Sequence, residues 1–215
     1  MSLNYYELDS CHYDTLQGLS FDACLKMSKI KLELLGDPEQ FLFVENSIRG
    51  GVSVVSHRHA TANNEFVPNY NLDDPTTWIL FVDANNLYGH AMSEPLPTGN
   101  FKFLSPKEIE KFDISKTAST DDVGFILEVD LKYPVHLHEL YNDYHLAAEK
   151  IKITHDMLSP YSQSLINKHN STEKLASNLN DKKKYVLHYE NLRLYLKLGM
   201  ELVKIHRILQ LCQSA

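Results

Sequence analysis

The sequence predicts a mixed α+β fold whose strands pair mainly antiparallel. Three observations carry that prediction. Two apolar runs, 78-WILFV-82 and 123-VGFILEVDL-131, have the length and residue types of buried strands. Helical patterns with their own start and stop signals stand at 20–35, 105–112 and 190–199. A last stretch, 200–211, alternates well enough to be a strand.

In chain order, residues 20–35 read as a helix. Ser20 is its cap, Leu25, Ile30, Leu34 and Leu35 fall roughly on one face, and Gly36 stops it before Pro38. Residues 41–44 (FLFV) read as a short buried strand, and 51–57 as a strand or extended segment. Residues 60–77 hold two prolines and four asparagines and read as a surface loop. The run 78–83 is the clearest strand, apolar without alternation, as a strand covered on both faces should be. Residues 84–92 turn out of it into a helical turn. Residues 105–112 form a short helix with Ser105 as cap, Pro106 at its first position and Glu108 closing a capping box. After the strand at 123–131, residues 145–183 are polar, and 166–183 read as a mobile insertion. A strand at 185–189 leads into a helix at 190–199 that Gly199 closes.

Composition narrows the class. The chain has 215 residues, 43% apolar and 23% charged, which suits a soluble protein with a real core. The net charge of −7 argues against a polycation whose whole surface neutralises phosphate. No apolar run approaches the length that spans a bilayer, and the first residues lack a secretory pattern. The expectation is therefore an intracellular protein, nuclear or cytoplasmic. Cys11, Cys24 and Cys212 have no metal-site or disulfide spacing and read as free thiols. Charge is uneven: residues 182–207 hold seven bases and two acids. Such a run is either a solvated face or a phosphate-facing groove.

The residue that carries chemistry is Asp83, which ends the run WILFV and opens the turn 84-ANNLYG-89. A carboxylate at a strand end, beside a tight turn, suits a hard divalent cation with room for water and phosphate oxygens. Backbone N–H groups in the turn can point at those oxygens, and Tyr88 can lie flat against a sugar ring. Taken by itself, an aspartate in such a place is more often a turn cap.

The longer string 83-DANNLYGHAM-92, followed by 94-EPLPTG-99, resembles motif A of family B DNA polymerases, generally D-x-x-S-L-Y-P. It is most similar to the protein-primed branch, that of Polinton/Maverick-type transposons and their viral and plasmid relatives. Residues 47-SIRGG-51 are similar to the Y-x-G-G element that joins exonuclease and polymerase domains, with Ile48 in place of the tyrosine. Residues 9–26 resemble the segment after the third exonuclease motif, and 185–211 the palm between motifs A and B.

The resemblance implies a partial polymerase palm with a mainly antiparallel sheet and flanking helices, plus the tail of an exonuclease domain. Residues 1–46 would be that tail, and 47–215 the linker element and the first half of the palm. Asp83 would bind the catalytic Mg2+ ions. Asn86, Leu87 and Tyr88 would meet the incoming dNTP, Leu87 through its main-chain N–H and Tyr88 as the gate against a 2′-hydroxyl. Asn86 stands where many relatives have serine, and Gly89 where many have proline. Arg49, Gly50 and Gly51 would contact template DNA. Primer–template DNA, dNTPs and a terminal priming protein are the implied partners. The chemistry would be two-metal phosphoryl transfer. That needs a second carboxylate, and no D-T-D or K-x-x-x-N-S-x-Y-G string occurs in these residues. The expectation is a fragment that does not polymerise by itself.

Two other readings stand beside it. One is a non-catalytic remnant that binds DNA or a partner. The other is a nicking endonuclease of the His-hydrophobe-His type, using His136, His138 and Tyr141 of 135-VHLHELY-141. Pro134 sits badly inside the central strand that such a centre needs. Asp130, which also closes an apolar strand, is a conceivable second carboxylate, and more simply a charged strand-end residue.

Overall fold

A computed structural model describes residues 2–118, 121–165 and 173–214. The elements run α1 (Ser2–Tyr6), α2 (Leu16–Ser28), α3 (Pro38–Ser47), α4 (Leu87–Ser93), β1 (Leu96–Phe103), α5 (Pro106–Glu110), β2 (Val123–Lys132), β3 (Glu149–Lys152), α6 (Pro160–Leu165), β4 (Glu173–Ala176), β5 (Lys182–His188), α7 (Tyr189–Lys197) and β6 (Glu201–Ser214). The fold is α+β. Four strands form an antiparallel sheet in the order β1-β6-β2-β5, and β3 and β4 form a separate antiparallel pair.

β2 and β6 are the spine. They pair from Val123↔Cys212 to Lys132↔Glu201, with two irregularities on the way. Successive side chains of β2 point to opposite faces, and both faces are covered, so the strand reads as a continuous apolar run. On one face Leu127, Val129 and Leu131 join Leu187 of β5, Ile208 of β6 and Leu192 of α7 in the larger core. The other face carries a smaller core, in which Ile126, Val186, Leu209 and Leu211 surround Phe43 of α3. Beyond Ile126 that second face turns polar. Arg207 grips the Glu128 carboxylate with two N–H donors, at 3.0 and 3.1 Å, and reaches Glu39 of α3 at 3.1 Å. This planar, two-pronged contact is the geometry guanidinium favours.

Several expectations hold. The strand at 123–131 is β2, and all but the first residue of the stretch 200–211 lies within β6. At α5 the Ser105 N–H donates to Glu108 Oε2 at 2.7 Å, as the capping box requires. The Ser105 hydroxyl, which donates to the same oxygen at 2.6 Å, and after it the Ser105 N–H hold the Glu108 pKa below the ordinary glutamate range. The helix expected at 190–199 is α7, one residue earlier at its start, and Gly199 follows it at φ +99°.

Others are corrected. Residues 41–44 are not a strand but the middle of α3. Asp37 caps that helix by accepting the Glu39 N–H at 2.7 Å, and Pro38 supplies a preset first turn. Phe43 alone of the four is buried, while Phe41 and Leu42 are exposed.

The helix expected at 20–35 runs instead over Leu16–Ser28. Thr15 is its cap, and Lys29 ends it in the left-handed region. Downstream, the Glu33 N–H donates to Thr98 O of β1 at 3.0 Å, which takes residues 30–35 away from helix and along the sheet edge. Residues 51–57 form no strand. Of the expected insertion, residues 166–172 lie outside the described residues, 173–176 form β4, and 182 already belongs to β5.

The largest correction is 78–83, which forms no strand and is not covered. Trp78 through Val82 are all exposed, Phe81 at 90%. The preceding loop is tied within itself, by the bridge Asn63↔Thr77, by Asn63 Nδ2 donating to Asn71 O at 2.9 Å, and by Phe66 against Trp78 at 5.8 Å between ring centroids. A strand exists through its ladder, and none of the described strands lies beside these residues. Among the described residues no helix is long and apolar enough to cross a membrane.

Candidate functional site

The turn after Asp83 is built by Asn86 and Gly89. Asn86 adopts φ 55°, ψ 48°, a left-handed conformation that asparagine tolerates. Its side-chain oxygen accepts the Gly89 N–H at 3.1 Å, and its carbonyl accepts the His90 N–H at 3.0 Å. This caps α4. A Cβ at position 89 would run into the Asn86 amide, so glycine is what lets the cap close. Leu87 and Tyr88 are the first two residues of α4, and their side chains are exposed, Tyr88 at 87%. The N–H groups of a helix's first turn have no partner inside the helix.

Asp83 itself is exposed, and among the described residues it makes no hydrogen bond or ion pair. The structure thus brings Asp83, Asn86, Leu87 and Tyr88 onto one short turn. Among the described residues no group of three or more His, Cys, Asp or Glu side chains is placed to hold a metal ion.

Asp130 is occupied elsewhere. Its Oδ1 accepts the Lys184 N–H at 2.8 Å and lies 2.9 Å from His206 Nε2. The Lys184 N–H, and after it His206, hold its pKa below the ordinary aspartate range. A lowered carboxylate pKa adds stability that is present above about pH 4, the usual value. That stability is lost as the pH falls through the folded value. Asp130→Asn, which keeps an oxygen for the Lys184 N–H, should therefore lower the urea midpoint at pH 6. The gap to the parent chain should close towards pH 2. A gap of the same size at both pH values would exclude this role for the charge.

Arg49 faces the sheet. Its Nη1 donates to the carbonyls of Val186 at 2.6 Å and Ser47 at 3.2 Å, and its guanidinium stacks on Tyr185 at 3.8 Å from the ring centroid. The contact holds the chain after α3 against the outer strand of the sheet. Arg49 and Gly50 line a groove of about 390 Å³ with Tyr185, Asn191 and Tyr195. Gly50 and Gly51 are exposed, with open space where a side chain would stand.

His136, His138 and Tyr141 are not on a strand. A 3-10 turn, Val135–Leu137, follows Pro134. The ring of His138 lies edge-on to Tyr133, its Nε2 is 3.1 Å from Tyr133 O, and the Tyr141 hydroxyl donates to Leu198 O at 3.0 Å. The cysteines are free, as expected.

No protein-family model, curated protein or solved structure matches the chain.

The basic run 182–207 divides on folding. Lys182 is buried, at 1% exposure, against Glu149. Arg193 pairs with Glu190 at 2.9 Å, and Arg207 with Glu128. Lys183, Lys184, Lys197 and Lys204 remain exposed. Sequence reasoning missed the buried member because three consecutive lysines read as a solvated patch.

Proposed function

We propose that the chain is a segment of a DNA-directed DNA polymerase of family B, protein-primed type. In this reading Asp83 is a ligand of the catalytic magnesium ions. The supporting observation is the combination at residues 83–92: a family-like string in which the aspartate is exposed and unpaired, directly before a capped helical turn. A carboxylate tied to an arginine or sunk in an apolar pocket would be unable to meet a hydrated cation carried in by a triphosphate.

Asp83 and the metal would take the phosphate oxygens, the Leu87 N–H would donate to them, and the Tyr88 ring would lie against the sugar. The second carboxylate and the motif B lysine are not found in these residues, so nucleotide binding is expected and turnover is not. Primer–template DNA and a priming protein are partners of the complete enzyme in this reading.

The test is equilibrium binding of a labelled dNTP to the purified chain, with and without magnesium. Binding should require the metal, and Asp83→Ala should abolish the metal-dependent part. No binding in the parent chain, or equal binding in the variant, would sink the assignment. Salt-sensitive DNA binding without any metal-dependent nucleotide binding would instead favour a non-catalytic remnant.

A further inference from the structure

β3 and β4 stand apart from the four-stranded sheet. They pair only with each other, from Glu149↔Ala176 to Lys152↔Glu173, and so form an arm. Both legs of the arm end on one cation. Lys182, the first residue of β5, has a fully buried side chain. Its Nζ donates to Glu149 Oε1 at 2.9 Å, at the start of the arm, and to Asn178 Oδ1 at 2.5 Å, just past its second strand. Asn178 Nδ2 donates to the same Glu149 oxygen at 2.7 Å, which closes the triangle.

An ammonium out of water is tolerable only while its acceptors stay in place. Burial lowers the Lys182 pKa, and Glu149 acts against that shift. Apolar packing loosens by degrees, whereas this contact is made or lost as a set. Just before the arm, buried Ala147 turns through the left-handed region at φ 53°, and Ala148 O accepts the Tyr185 hydroxyl at 2.8 Å. The chain is thus pinned and bent where a pivot would stand. Beside it lies a cavity of about 620 Å³, lined by Val52, Ser53, Val54, Leu146, Ala148 and Ser177.

We propose that β3 and β4 swing as one pair from the sheet, and that Lys182 is the latch that holds both strands. Opening the latch reshapes the adjoining cavity, so whatever engages residues 52–54 is coupled to the arm. This does not depend on the role given to Asp83.

Hydrogen–deuterium exchange of the full chain at pH 7 tests it. In Glu149→Gln the amides of 149–152 and 173–176 should exchange about tenfold faster or more, by the same factor in both strands. Those of β2 and β6 should keep their rates. Unchanged arm rates, acceleration of one strand alone, or equal acceleration throughout the sheet would each overturn the proposal. Should Glu149→Gln fail to fold, Asn178→Ala, which leaves the ion pair intact, carries the same expected pattern with a smaller factor.

Discussion

Leu127→Ala should destabilise the chain by about 3–5 kcal/mol, the range for emptying a leucine site in a packed core. Leu127 is fully buried in the middle of β2, with Leu187 and Ile208 as its neighbours across the two ladders. All three belong to the larger core, so the space left behind is walled by strands that hydrogen bonds hold in place. The loss should appear as a lower urea midpoint with an unchanged slope. A typical domain has about 5–15 kcal/mol in total, so the substitution should remove a large share of the stability. A shift below about 1 kcal/mol would mean that the sheet collapses around the gap and is far less rigid than its ladders imply.

Phe43→Ala should cost a similar amount, about 3–5 kcal/mol, but with a different distribution. Phe43 is 2% exposed and is the only residue of α3 buried to that degree. Its ring meets Phe103 edge-on at 5.2 Å, and the Arg207 guanidinium lies 4.7 Å from its centroid. Removing it takes away the anchor of the helix and one flank of the Arg207–Glu128 pair. Amide exchange in 38–47 should rise far more than in β2. Equal rises in both would show that α3 and the sheet unfold as one cooperative unit. Phe43→Leu should recover most of the stability, because the side chain still fills the space.

The parts of the fold that were legible in the sequence are those decided locally. The Ser105–Glu108 box, the Gly199 stop and the apolar run of β2 each announce themselves within about ten residues. The misread parts were decided by distant partners or by quieter local signals. FLFV and WILFV look alike as strings. The first is helical because Asp37-Pro38 starts a helix three residues earlier, and the second is no strand because no described neighbour offers a ladder. The apolar spacing of Ile30 and Leu34 suggested a longer α2, yet the Glu33 N–H is claimed by β1.

At the candidate site, the position of Asp83 before a turn was readable. The clash that makes Gly89 necessary for the Asn86 cap was not, because it depends on a side-chain orientation. Lys182 could not be told from Lys183 and Lys184 by type; only the register of β5 decides which of them faces inward.

The uncovered residues 78–82 have a consequence for the molecule in concentrated solution. Five uncharged, strand-prone side chains in a row, without proline, are the makings of a cross-β stack between copies. Asp73 and Asp74 stand before them and Asp83 after them, so any in-register stacking would pile like charges at both ends. By this argument Asp83, the proposed metal ligand, would also act as a gatekeeper against fibril growth, and neutralising it should raise self-association.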